Sequence, residues 1–111
     1  MTLQVSQSIA QAGTTPSALT PAASDTIHEG SFGPTGVIAR VITTGTATDV
    51  AVTDPGTTGL GNAGTPVPLV APATGARMLY IPRAAINPAT GLATVTFSGA
   101  RTGVTYELYR Y

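Results

Sequence analysis

Two short runs near the end of this chain alternate strictly between apolar and polar residues, and they limit its fold more than any other feature. In Ala93–Ser98 the residues Ala93, Val95 and Phe97 alternate with Thr94, Thr96 and Ser98; in Val104–Tyr109, Val104, Tyr106 and Leu108 alternate with Thr105, Glu107 and Tyr109. Successive side chains of a strand point to opposite faces, so a period of two sends each apolar trio to one side of a half-buried sheet. Gly99 and Gly103 lie between the runs, and the pair is expected to form a hairpin whose inner face carries Val95, Phe97, Val104, Tyr106 and Leu108 as core. In front of them, Asn87-Pro88-Ala89-Thr90-Gly91 has the chemistry of a turn: proline presets φ and glycine accepts a positive one.

The rest of the chain is punctuated in the same way. Only Met1–Ala12 runs for more than ten residues without Gly or Pro, and Val5 and Ile9 make a poor helical stripe there. Leu3 and Val5 instead alternate with Thr2 and Gln4, which reads as a first strand or an extended arm over Thr2–Ser8, followed by loop over Gly13–Ser24. Gly36–Thr44 is apolar on both faces except at Arg40, as a central strand would be, and Ala47–Thr53 follows with Val50 and Val52 on one face. After the Asp54-Pro55-Gly56 turn and a glycine-rich loop, Pro66–Ala71 is extended, its two prolines confining it to a sheet edge; Arg77–Ile81 is a further short strand. Six to eight short strands with no convincing helix predict an all-β domain, a β-sandwich or small barrel over residues 25–111, with residues 1–24 as an extended N-terminal arm or first strand and loop.

A chain of 111 residues has room for one domain, and surface scaling buries roughly 65% of what the unfolded chain exposes. The core is thin: Val, Ile, Leu and Phe together make 24 of 111 residues and there is no Trp. Only 9% of residues are charged and the formal net charge is zero, an unusual surface for a free monomer and one that suits burial in an assembly. The absence of Cys excludes disulfides and thiol chemistry, and all five basic residues are arginine, which a GC-rich coding bias explains first and a use in bidentate interface contacts second. No basic residue precedes Arg40 and no long apolar run occurs, so neither a signal peptide nor a membrane span is expected.

Three features could carry chemistry. Gly59–Gly64 matches G-x-G-x-x-G, but it runs into Thr65-Pro66-Val67-Pro68 where a dinucleotide fold needs a helix, and the reading is a loop with no cofactor. Asp25-Thr26-Ile27-His28-Glu29 gathers the only His with two carboxylates; without further ligands or a nucleophile it reads as a solvated loop or a polar contact at a subunit boundary, neither a metal nor a catalytic site. Charge is divided along the chain. Asp25, Glu29, Asp49 and Asp54 against Arg40 leave residues 1–55 at −3, while Arg77, Arg83, Arg101 and Arg110 against Glu107 leave residues 56–111 at +3. Either interleaved strands pair these charges within one subunit, or they serve complementarity with a neighbour. Five balanced arginines form no basic stripe, so nucleic acid is not an expected partner.

The stretch IPRAAINPATGLATVTFSG followed by TGVTYELYR resembles the C-terminal half of small capsid decoration (cement) proteins of tailed bacteriophages, and TLQVSQSIAQAG, GVIARVITTGTATDVAVTDPG and GNAGTPVPLVAPATGARM fit the same layout. The resemblance implies a non-enzymatic virion protein, made in the host bacterial cytoplasm, that binds the major capsid protein on the outer capsid surface, stabilises the head and forms a homo-oligomer, a trimer being the first expectation. A neck, tail or fibre-associated component and a soluble carbohydrate- or protein-binding sandwich are the competing readings. The family supplies no transferable site motif. On the residues themselves, Leu3, Val5 and Ile9 in the arm, with Arg77 and Arg83, are the expected partner-binding residues.

Overall fold

The structure is a computed structural model that describes residues 2–45, 47–56, 60, 67–71 and 74–111, with the backbone alone for 67–71. Among the described residues the chain forms eight strands: β1 (Thr2–Gln4), β2 (Ser24–His28), β3 (Gly36–Thr44), β4 (Thr48–Val52), β5 (Val67–Ala71), β6 (Thr74–Pro82), β7 (Leu92–Gly99) and β8 (Val104–Arg110). They make a five-stranded sheet in the order β1-β2-β7-β4-β5 and a three-stranded sheet in the order β6-β3-β8. All strand pairs are antiparallel except β1 with β2. The protein is an all-β sandwich. The Gly59–Gly64 run, apart from Leu60, lies outside the described residues.

Each sheet turns one face inward. From the larger sheet come Ile27 of β2, Ala93, Val95 and Phe97 of β7, and Val50 and Val52 of β4; from the smaller come Val37, Ala39 and Val41 of β3, Ile81 of β6, and Val104, Tyr106 and Leu108 of β8, all buried. β3 is the middle strand of its sheet, and its outward residues Ile38, Arg40 and Ile42 are still half-buried, which is why its sequence is apolar on both faces. β5 is the edge strand expected from its prolines. The Asn87–Gly91 turn closes with Gly91 N–H donating to Asn87 O at 2.7 Å and Ala89 N–H donating to Asn87 Oδ1 at 2.9 Å.

Three expectations need correction. The alternating runs are not a hairpin: β7 lies in one sheet and β8 in the other, and Gly99 to Gly103 carries the chain across the sandwich. The two apolar trios therefore face each other rather than sit side by side, with the Phe97 and Tyr106 rings 4.9 Å apart and inclined at 41°. Gly99 and Gly103 take φ of 88° and 71°, which a crossing needs as much as a hairpin does. Asp25–His28 is strand β2 rather than loop, and Asp25 and Ile27 face the interior. Finally, residues 2–24 do not stand apart from a 25–111 domain, because β1 pairs with β2 and Leu19 pairs with Tyr106.

Burial on one face of β7 and half-exposure on the other predicts unequal costs of truncation. Phe97→Ala should cost about 3–5 kcal/mol in denaturant melts, from the apolar contacts and the cavity left behind. Thr94→Ala and Thr96→Ala should each cost less than about 1 kcal/mol, although Thr96 Oγ1 donates a 3.3 Å hydrogen bond to Ala51 O.

Candidate functional site

The N-terminal segment is where folding and presentation separate. Its backbone is tied to both sheets. β1 runs parallel to β2 in the register Thr2↔Asp25, Leu3↔Thr26, Gln4↔Ile27. Further on, Gln7 N–H donates to Leu108 O at 2.8 Å and Arg110 N–H donates to Gln7 O at 2.7 Å, so the segment covers the edge of β8. Leu19 then exchanges two hydrogen bonds with Tyr106, of 2.7 and 3.1 Å. The segment thus pairs with the outer edges of β2 and β8, covering β8 and leaving only the three-residue β1 as the edge of the larger sheet on this side, and a very short edge strand is a small pairing liability.

Side chains in the same segment are turned against the usual rule for a packed strand. In a strand packed on a core the apolar residues go in and the polar ones out; in β1 and the residue after it, Gln4 is buried while Leu3 and Val5 are 57% and 67% exposed. Ile9 is 68% exposed. Gln4 goes inward because a polar partner waits there. Asp25 Oδ2 accepts from the Tyr106 hydroxyl at 2.6 Å, from Ala22 N–H at 3.2 Å and from Gln4 Nε2 at 3.5 Å, and Gln4 Nε2 also reaches Thr20 O at 3.4 Å. Burying a carboxylate requires such donors. Asp25 therefore fixes which face of β1 turns inward, and the apolar side chains are left outside.

Charges are handled in a comparable way. Among the described residues the single ion pair is Arg40–Glu107, at 3.2 Å on the outer face of the smaller sheet, where the Tyr109 hydroxyl also donates to Glu107 at 2.7 Å. Arg40 is the lone base of the first half of the chain and Glu107 the lone acid of the second, so this pair removes the minority charges and leaves four acids in the first half and four arginines in the second. Intramolecular pairing of the divided charges is therefore not what the fold achieves among these residues. Arg83 and Arg101 donate instead to the carbonyls of Gly33 and Phe97, at 2.9 and 3.3 Å, and Arg110 donates to Gly30 O.

Arg83 and Arg110 meet at one end of the sandwich, where they line an open depression of about 570 Å³ together with Ile9, Phe32, Pro34 and Tyr111. Two of the expected partner-binding residues, Ile9 and Arg83, are thus brought to one place. Leu3 and Val5 lie along the β1 edge, and Arg77 is on β6, the opposite edge of the smaller sheet. Arg110 and Tyr111 were not among the expected partner-binding residues: Arg110 falls where the apolar set Val104, Tyr106 and Leu108 would continue and ends the alternation, and Tyr111 follows it without a pattern. His28 is an exposed cap of the Glu29–Ser31 turn, its Nδ1 accepting from Gly30 N–H at 3.0 Å. No group of three or more metal-ligating side chains occurs among the described residues, and none of their helices is long and apolar enough to cross a membrane. Comparisons with models of protein families, with curated proteins and with solved structures find no match.

The arrangement around Asp25 makes stability depend on alkaline pH. Burial first, and then the hydrogen bond to Asp25, push the Tyr106 phenol well above the usual tyrosine range. Burial and the bond to Glu107 push Tyr109 in the same direction. An unfolded tyrosine titrates near about 10. Above that pH the unfolded state has lost a proton that folded Tyr106 retains, so the stabilisation is complete below about pH 10 and falls as pH rises, by about 1.4 kcal/mol per pH unit for this group. Tyr106→Phe should flatten that alkaline slope while lowering neutral-pH stability by about 1–3 kcal/mol for the lost hydrogen bond. Denaturant melts across a pH series check both; an unchanged slope would contradict the assignment.

Proposed function

We propose that this chain is a virion structural protein that binds the major capsid protein on the outer surface of a tailed-phage head and reinforces it, without catalysis or cofactor. The observation that carries the partner-binding part of this reading is the reversed strand β1, with Gln4 buried and Leu3 and Val5 exposed on a backbone already hydrogen-bonded to its own domain. Apolar side chains held out by a fixed backbone lose little further freedom on docking, which favours association. The near absence of surface charge and the division of what remains suit a surface meant to be covered. The capsid part of the reading comes from the resemblance of Ile81–Tyr109 to decoration proteins.

In this role the protein bridges capsomers and adds buried area across joints that internal pressure strains. A molecule that binds the assembled lattice but not its separated parts stabilises it by mass action, and many identical contacts add through multivalency. A closed cyclic oligomer, a trimer at local threefold joints, is the proposed arrangement. Two measurements test the role. Quantitative copy counting in purified particles should give hundreds of copies per head; about a dozen or fewer would place the protein at a neck or tail. Leu3→Ser/Val5→Ser/Ile9→Ser should bind undecorated heads at least about tenfold more weakly, from the loss of three apolar contacts, while melting close to the parent because the three side chains are exposed. Undiminished binding would move the contact elsewhere on the sandwich.

A further inference from the structure

The depression at the Arg83 and Arg110 end has features that specify the chemistry of what fits it. Its two cations are both arginine, the side chain whose planar donor fork matches a carboxylate. Each guanidinium is anchored by donating to a backbone carbonyl, Gly33 O for Arg83 and Gly30 O for Arg110, which leaves further N–H groups on both. Among the described residues neither forms an ion pair, and no carboxylate side chain lines the depression. The acids nearest in sequence are engaged elsewhere: Glu29 lies against Gly91, its Cδ 3.6 Å from where a Cβ on that glycine would be, and Glu107 pairs with Arg40. Beside the cations stand apolar side chains with no cover: Ile9 is 68% exposed and Tyr111 is 56% exposed, over a floor of buried Phe32.

The walls are held before anything binds. Thr35 N–H donates to Tyr111 O at 2.9 Å, Tyr111 N–H donates to Gly36 O at 3.0 Å, and Gly33 N–H donates to Gly36 O at 2.9 Å. Gly33 sits so close to the last strand that a Cβ there would be 2.7 Å from Tyr111 N. Arg83 opens a short 3-10 turn closed by Ile86 N–H donating to Arg83 O at 3.1 Å. Two positioned cations beside exposed apolar groups are complementary to a chain that alternates carboxylates with apolar residues. They are too few and too isolated to track a nucleic-acid backbone.

We propose that this depression binds an acidic segment of the partner protein, with carboxylates engaging Arg83 and Arg110 and an apolar neighbour covering Ile9 and Tyr111. The proposal refines the partner-binding reading above and can fail separately from it, because it concerns the chemistry of one site rather than the capsid as partner. Electrostatic complementarity of this kind fixes orientation and register, while the apolar row on β1 supplies area.

The test uses the isotope-labelled full chain and two synthetic peptides, acetyl-Asp-Leu-Asp-Phe-Asp-amide and its Asn-for-Asp counterpart, followed by amide chemical shifts. The acidic peptide should perturb Ser8, Ile9, Phe32, Gly33, Arg83, Arg110 and Tyr111, with an affinity that falls as ionic strength rises. The Asn peptide should bind at least about tenfold more weakly, as should the acidic peptide to Arg83→Gln/Arg110→Gln. Arg83→Lys/Arg110→Lys retains both charges without the planar fork, so it should bind the acidic peptide about three- to tenfold more weakly than the parent while still preferring it to the Asn peptide; it decides the matter if the glutamine variant fails to fold. Equal perturbation by the two peptides, perturbations centred elsewhere, or inorganic phosphate reproducing the acidic peptide's effect at equal concentration would each overturn the proposal. The same variants assayed on undecorated heads separate the two ideas. Parent protein that binds the acidic peptide but not heads refutes the capsid reading alone, and head binding unaffected by the glutamine variant refutes the acidic-segment proposal alone.

Discussion

Tyr106 is the residue on which the rest of the structure depends, because it is held on three sides by three different parts of the chain. Its ring packs on Phe97 across the sandwich, its hydroxyl donates to the buried Asp25, and its backbone N–H and C=O both pair with Leu19. The first contact joins the sheets, the second joins β8 to β2, and the third brings in the segment that leads away from β1. An apolar residue at 106 could make the first and third contacts only. Asp25 would then keep weaker donors for a carboxylate out of water, and the inward preference of Gln4 would lose part of its cause.

That dependence links folding to recognition. A polar residue placed inside β1 leaves apolar ones outside, so the demand of one buried carboxylate for donors determines what the N-terminal segment shows to solvent. The charges follow a related logic. Arg40 and Glu107 face each other on neighbouring strands in direct register, and their pairing consumes the two charges that ran against the division between the halves of the chain. What remains on the surface is carboxylate at Glu29, Asp49 and Asp54, in or just after strands of the larger sheet, and guanidinium at Arg77, Arg83 and Arg110, in or just after strands of the smaller one, with Arg101 in the crossing from β7 to β8 as the exception. Arg101 aside, the fold turns a division along the sequence into one between the two sheets.

Much of this was legible in the sequence, and the parts that were not share a cause. Alternation identified β7 and β8, two-sided apolarity identified β3, and proline placed β5 at an edge, because each is a local pattern with a local physical meaning. Alternation is silent about the partner of the buried face, however. Strands paired in one sheet and strands facing each other across two sheets bury the same residues, so the Gly99–Gly103 crossing could not be told from a hairpin. Leu3 and Val5 were expected to face a partner, but the cause of their exposure lay beyond any local pattern: Asp25, far along the chain, draws Gln4 inward and leaves them outside. The depression joins Ile9, Arg83 and Arg110, residues that no spacing rule connects.

The central claim is that the N-terminal segment is a built-in part of the isolated domain by its backbone while its apolar side chains are offered outward. Hydrogen exchange of the Gln7, Leu19 and Arg110 amides in the isolated protein tests it most directly, since each donates across the junction between that segment and β8. If the account holds, these amides are protected to a degree approaching the interior of β3. Exchange at the rate of an unstructured peptide, with β3 still protected, would show that the segment is free until a partner orders it and would contradict the account.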